Sequence, residues 1–181
     1  MGKQSGNSVT IGKFRGLVFL LGYSAVFVLI QYLIVSGKLE FFSDKLSFGI
    51  ATFSTSIISS VDSHIVQRGT LLIHENGIGA VRIDNSCNAL ELMLLLLAAL
   101  SIYPASWLYK GKGIAFCLVG IQLFNVVRII TLYYVIELWP EYFDLVHEYI
   151  WRFLVTLVAL TFFLIWVMLE PEEGESSLTN T

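Results

Sequence analysis

Charged side chains are scarce in this chain: Asp, Glu, Lys and Arg together supply 14% of its 181 residues, against roughly a quarter in soluble domains. That shortage excludes an ordinary water-facing surface. With 56% hydrophobic residues and a mean hydropathy of +0.75, the chain reads as an integral membrane protein. Cysteine is almost absent. Two residues, Cys87 and Cys117, cannot build a disulfide scaffold or a Cys-rich metal site. Histidine is limited to positions 64, 74 and 147, with no His-Glu-x-x-His, so the pattern of a zinc protease is missing. Gly-x-Ser-x-Gly is missing too, which argues against a serine hydrolase of the usual kind. The net charge is −3 and no basic stripe alternates with aromatics, so nucleic acid is not an expected partner. No internal repeat or low-complexity segment stands out. The first apolar stretch is as long as a span and lacks a small-residue cleavage site, so it reads as a membrane helix and not a cleavable signal.

A bilayer core takes about 20 apolar residues per helix. Segments 16–35, 114–136 and 151–169 meet that requirement, and 87–103 meets it with local thinning of the bilayer at its ends. The expected fold is therefore all-α, a single membrane domain over 1–181 with about four transmembrane helices. Lys3, Lys13 and Arg15 precede the first span, and Lys110 and Lys112 lie between the second and third. By the positive-inside rule these flanks are cytoplasmic. The loop "ELWPEYFDLVHEY" (137–149) carries four acids and no Lys or Arg, which suits the outer side. Both termini then face the cytoplasm, and the acidic tail 171–181 is expected to be disordered.

The segment 36–86 between the first two spans is more than a loop. Leu46, Gly49, Ile50, Phe53, Ile57 and Val61 recur at helical spacing with Ser, Thr and Asp opposite, the pattern of an amphipathic helix lying at the outer interface. In "TLLIHENGIGAVRID" two short β-prone stretches flank Asn76-Gly77, a strong hairpin signal. A small β-hairpin is thus expected to lead into Cys87.

Polar groups inside apolar helices are costly, about 2.5–3.5 kcal/mol for a charge on insertion scales, and invite a functional reading. Arg128 lies deep in the third span with Asn125 three residues before it, on the same helical face. Glu91 lies one turn after Cys87 and shares its face if both are helical. His147 and Arg152 stand at the start of the fourth span. Each has an ordinary explanation. Cysteines are often packing residues, Glu91 and Arg128 would form a structural ion pair, and Arg152 would reach the headgroups. A transporter using Glu91, Arg128 and Arg152 is a weaker reading, for the sequence gives no sign of paired broken helices. Taken together, Cys, Arg and His suffice for acyl transfer. A thiolate attacks a carbonyl, a cation stabilises the thiolate or the oxyanion, and an imidazole moves the proton.

At "SCNALELMLLLLAALSIYPA", "KGKGIAFCLVGIQLFNVVRIITLYY" and "DLVHEYIWRFL" the chain resembles the exosortase/archaeosortase transpeptidases, most of all the exosortase H type. In chain order, that family has Cys-x-Gly at the outer start of a helix, Asn-x-x-Arg within a later helix, and His before the last shared one. The matching residues are Cys87, Asn125 with Arg128, and His147; the similarity spans about 83–167. The resemblance implies a membrane cysteine protease or transpeptidase of the cytoplasmic (inner) membrane, working at its outer face. Its substrates would be membrane-anchored proteins ending in a sorting signal of short motif, transmembrane helix and basic cluster. Cys87 would be the nucleophile, Arg128 the stabilising cation and His147 the acid/base, with no cofactor; apart from the resemblance, Asn125 and Glu91 are read as supporting residues that orient or neutralise Arg128. His64 and His74 are rival histidines on the same side. The chain is short beside family members with about eight spans. It also departs at Ala89, where the family has Gly; a position needing positive φ would suit Ala poorly.

Overall fold

The computed structural model describes residues 5–169 apart from Ile78 and Ser86, with side chains from Leu20 onward. The tail 171–181 and Lys3 lie outside the described residues. Among the described residues, five α-helices and one small sheet make up the architecture. Helix α1 (Ser5–Val35) ends where Gly37 adopts φ 70°, a left-handed stop that glycine accepts without a Cβ penalty. Helix α2 (Glu40–Ile58) follows at once, and its axis is bent 83° from the Leu20–Val35 part of α1. This break at residues 36–39 went unforeseen in the sequence, where the segment read as leaving the membrane into an outer region.

The expected amphipathic helix is present as α2, but its faces are turned the other way. Ser43, Ser47, Ile50, Ala51, Ser54 and Ile58 form the buried stripe, while Phe41, Phe42, Phe48, Phe53 and Ile57 are exposed. An interfacial helix would give its hydroxyls to water. Here the hydroxyls of Ser43 and Ser47 are satisfied inside the protein, and the aromatic face is left outward.

The β-hairpin is also present and proves to be part of a three-stranded antiparallel sheet in the order β1-β2-β3. Strand β1 (Ile65–Arg68) pairs with β2 (Leu71–His74) across a tight turn at Gly69, whose φ is 64°. Strand β2 pairs with β3 (Ala80–Arg82) across the Asn76-Gly77 connection, placing Leu72 opposite Val81. Leu72, Val81 and Ile83 point into a core shared with Ile58 of α2 and with residues 126, 129, 132 and 133 of the next long helix. Alternation along a strand sends every second side chain to one face, so even these short strands seat the sheet firmly.

Helix α3 (Leu90–Ile102) has 13 residues and is thus about 20 Å long, against a hydrocarbon core of about 30 Å. Helix α4 (Trp107–Leu138) has 32 residues. A short 3₁₀ turn (Pro140–Tyr142) then leads into π-helical turns (Leu145–Trp151) that continue directly as α5 (Arg152–Met168). Among the described residues, Trp107–Leu138 and Leu145–Met168 are long and apolar enough to cross a membrane, with a third span if the bent pair counts as one. Of the about four transmembrane helices expected from the sequence, the second of them short, two or three are long and apolar enough by this measure. Helix α3 falls short because residues 87–89, which the periodicity assigned to it, fold as a turn.

Helices α4 and α5 approach closely through glycines. A Cβ at Gly113 would lie 2.0 Å from Trp166 Nε1, and one at Gly120 would lie 2.6 Å from Phe162 Cε2. Trp166 cannot yield readily, since it stacks on Tyr109 at 5.1 Å between ring centroids and its carbonyl accepts the Tyr109 hydroxyl at 2.6 Å. Cys117, Ile121 and Leu100 complete this second core. Gly113→Ala is therefore expected to lower stability by about 1–3 kcal/mol, the usual cost of overpacking. Thermal unfolding of the detergent-solubilised protein measures it, with Gly111→Ala, which meets nothing within 4 Å, as the control.

Candidate active site

Cys87 sits in a turn and outside α3. Its backbone N–H and that of Asn88 both donate to the Asp84 carbonyl, at 3.0 and 2.9 Å. Asn88, fully buried, organises the rest. Its Oδ1 accepts the Leu90 N–H at 2.9 Å, a local side-chain turn that competes with helix and delays its start. Its Nδ2 donates to Ser43 Oγ at 2.6 Å and Ser47 Oγ at 3.1 Å on α2. Ser43 in turn donates to Asn85 Oδ1. Helix α4 grips the same turn from another side: Gln122 Nε2 donates to the Asn88 carbonyl at 3.0 Å, and Asn125 Nδ2 to the Cys87 carbonyl at 2.8 Å. Three residues apart, the two amides share one helical face.

The Cys87 thiol is 3% exposed, and its Sγ lies 2.9 Å from His147 Nε2. His147 belongs to the π-helical turns, a rare conformation frequent at functional sites. Phe143 stacks on its ring with centroids 5.6 Å apart and planes 14° from parallel. Its other nitrogen, Nδ1, lies 3.0 Å from Glu148 Oε1, and Glu148 Oε2 meets the Arg152 guanidinium at 2.6 Å. Arg128 is 5% exposed. Asp84 and Glu148 lie where they attract it and Arg152 where it repels, and Cys87 attracts it as the thiolate. A buried guanidinium needs such counter-charge.

Chain segments far apart in sequence thus bring a thiol, an imidazole and a buried cation together. The family model for transmembrane exosortases (EpsH type) matches residues 11–166. The chain belongs to this transmembrane exosortase family. No curated protein and no solved structure matches it.

For an exosortase-family chain, the structure sorts the expected residues clearly. It brings together Cys87, Asn125, Arg128 and His147. Glu91 stands apart: it accepts a hydrogen bond from Gln31 of α1 and lines a cavity of about 410 Å³ with Glu40, Ser43 and Asn85. Glu91 would share the face of Cys87 only in a helix running through both, and the helix begins only at Leu90. Its expected pairing with Arg128 is therefore replaced by the contact with α1. His64 and His74 form a second cluster with Asp62 and Tyr133. His74 Nε2 is 3.4 Å from Asp62 Oδ2, which also accepts the Tyr133 hydroxyl at 3.1 Å. The His64 N–H bound to its carboxylate, helped by Tyr133 and the two imidazoles, holds Asp62 below the usual carboxylate range.

Four further contributors escaped the sequence reading: Ser43 and Ser47 because hydroxyls on a helix usually face solvent, Gln122 because it is neutral, and Glu148 because it passed as one of several loop acids. Asn88 could have been suspected, since an Asn between a Cys and an apolar run is a frequent turn former.

Ala89 adopts φ 58° and ψ 16°, the left-handed conformation that suits the glycine of the family pattern. A non-glycine residue there costs about 1–2 kcal/mol, partly offset by the smaller backbone entropy that Ala loses on folding. Ala89→Gly is expected to raise stability, by about 1 kcal/mol, and to leave thiol reactivity intact. Parallel unfolding and thiol-labelling measurements test both; a loss of stability on introducing Gly would contradict the strained turn.

Proposed function

We propose that this exosortase-family protein is a cysteine transpeptidase that processes C-terminal sorting signals of membrane-anchored proteins. The observation that supports this reading best is the 2.9 Å approach of Cys87 Sγ to His147 Nε2, with Arg128 buried beside the same thiol. His147 takes the thiol proton and the thiolate attacks the scissile carbonyl. Arg128 bears on the negative charge as it passes from sulfur to the tetrahedral oxyanion, an interaction that gains strength in a site with little water. As the intermediate collapses, the C–N bond breaks, His147 returns the proton to the leaving amine, and a thioester on Cys87 remains. An acceptor nucleophile then gives its proton to His147, attacks the thioester and releases the thiol. These steps require no cofactor. Asn125, fixed on the Cys87 carbonyl, keeps the nucleophile in register; its buried Oδ1 takes no hydrogen bond among the described residues.

In this reading the chain is a single membrane domain of the cytoplasmic membrane with four membrane-embedded helices, α3 being a short one, and the site opens to the outer side. The lysine and arginine distribution supports that orientation. The alternative is a non-catalytic membrane assembly protein or degenerate relative in which Glu91 and Arg128 pair structurally; the bond of Glu91 to Gln31 lends that pair no support.

Cys87→Ala is expected to abolish processing of a cognate sorting signal in cells. Cys87→Ser is expected to fall nearly as far, because a serine hydroxyl loses its proton to imidazole much less readily than a thiol does. Intact processing in Cys87→Ala would end the proposal. Arg128→Lys keeps the charge but not the planar fork. It is expected to lower turnover by about 10²-fold, the loss typical of one oxyanion donor, at unchanged protein level; immunoblotting for product and enzyme together reads both. A membrane-impermeant thiol reagent reacting at Cys87 only from the outer side tests the orientation.

A further inference from the structure

The contact with Cys87 uses one nitrogen of His147, and the other is occupied by a residue that the proposed mechanism does not use. We propose that Glu148 is the positioning residue of His147: its carboxylate holds the proton on Nδ1, leaves Nε2 free to accept the Cys87 proton, and steadies the imidazolium that results. The inference rests on the cysteine transpeptidase reading and adds a member to it.

Three observations carry it. Glu148 Oε1 lies 3.0 Å from His147 Nδ1, while Nε2 on the opposite edge of the ring lies 2.9 Å from the thiol. With one nitrogen donating to a carboxylate, the neutral ring presents its other nitrogen as an acceptor. Second, Glu148 is held in place by Arg152, one helical turn on, at 2.6 Å from Oε2. Both side chains are substantially exposed, so this pair adds little to stability; its effect is to orient the carboxylate. Third, the backbone here is π-helical. A wider turn rotates less per residue, which lets the consecutive side chains of His147 and Glu148 meet.

The surroundings of the ring make the carboxylate consequential. Arg128 of α4 faces His147, and Asp84 and Glu148 supply the opposing charge. When the proton moves from Cys87 to His147, the imidazolium forms within reach of the Arg128 cation. Glu148 is the adjacent group that offsets this repulsion. Asp84 acts on the ring as well, and both carboxylates also act on Arg128, but Glu148 is the one in contact with the imidazole.

Alkylation of Cys87 by iodoacetamide across pH, read by peptide mass on the full-length protein in detergent, measures the thiol–imidazole couple without any substrate. Glu148→Gln keeps an acceptor for Nδ1 but removes the charge, and Glu148→Ala removes both. The expected result is that the midpoint of the alkylation profile moves to higher pH in Gln and at least as far in Ala. Sorting-signal turnover should fall by about 10²-fold, the low end of what positioned acid–base catalysis supplies, with KM and protein level unchanged. Wild-type profiles in both variants, alongside a shifted profile in His147→Ala, would overturn the role of Glu148 alone. An unshifted His147→Ala profile would overturn the Cys87–His147 couple itself, and with it the proposed function. Loss of protein in both Glu148 variants would assign the residue to folding and overturn the proposal too.

Discussion

The structure depends on a handful of buried hydrogen bonds to two consecutive residues, Cys87 and Asn88, just before the left-handed Ala89. The side chain of Asn88 is pulled toward α2 by Ser43 and Ser47, and the carbonyls of Cys87 and Asn88 are held from α4 by Asn125 and Gln122. In an apolar interior each such group left unsatisfied costs about 1–3 kcal/mol, so the bonds stand or fall together. Their collective strength explains two features that would be unfavourable alone. Serines face inward on α2, and an alanine occupies a left-handed conformation. Both are what the amide clamps require.

Around that fixed turn the electrostatics can be sparse. Cys87 and Arg128 are buried, so the cation acts on the thiol more strongly than it would in water, while Glu148, partly exposed, acts more weakly. The arrangement also explains why so few charged residues suffice: Arg128 sits among Cys87, Asp84, Glu148 and Arg152, drawn from three segments of the chain. The sheet takes a separate part. It covers the far half of α4 through Leu72 and Val81 and carries its own cluster of Asp62, His64, His74 and Tyr133, so two of the three histidines are engaged there.

Much of this was legible in the sequence because membrane physics narrows the options. An arginine among leucines and valines stands out on cost alone, and Arg128 and Asn125 at helical spacing identified the face of α4 that meets Cys87. The Asn76-Gly77 hairpin was readable from its turn chemistry, although β1 was not, since "HIVQR" is too short to reveal its period. Glu91 was misplaced for a definite reason: helical spacing does not extend across residues 87–91, where the local turn of Asn88 and the bonds from α2 and α4 hold 87–89 out of the helix. The orientation of α2 was missed on similar grounds. An amphipathic pattern gives two faces, and only the partners, here Asn85 and Asn88, decide which one is inside.

The left-handed Ala89 has one more implication. A strained residue has no preference of its own for the shape it holds, so the shape belongs to the assembled protein and not to the local segment. Detached from α2 and α4, residues 87–89 lose the bonds that hold Ala89 left-handed, and that alanine reverts to the conformations L-residues prefer. The thiol is then no longer fixed opposite its imidazole. The reactive arrangement thus comes into being only when the surrounding helices have docked, and a newly inserted or partly assembled chain carries an unremarkable cysteine.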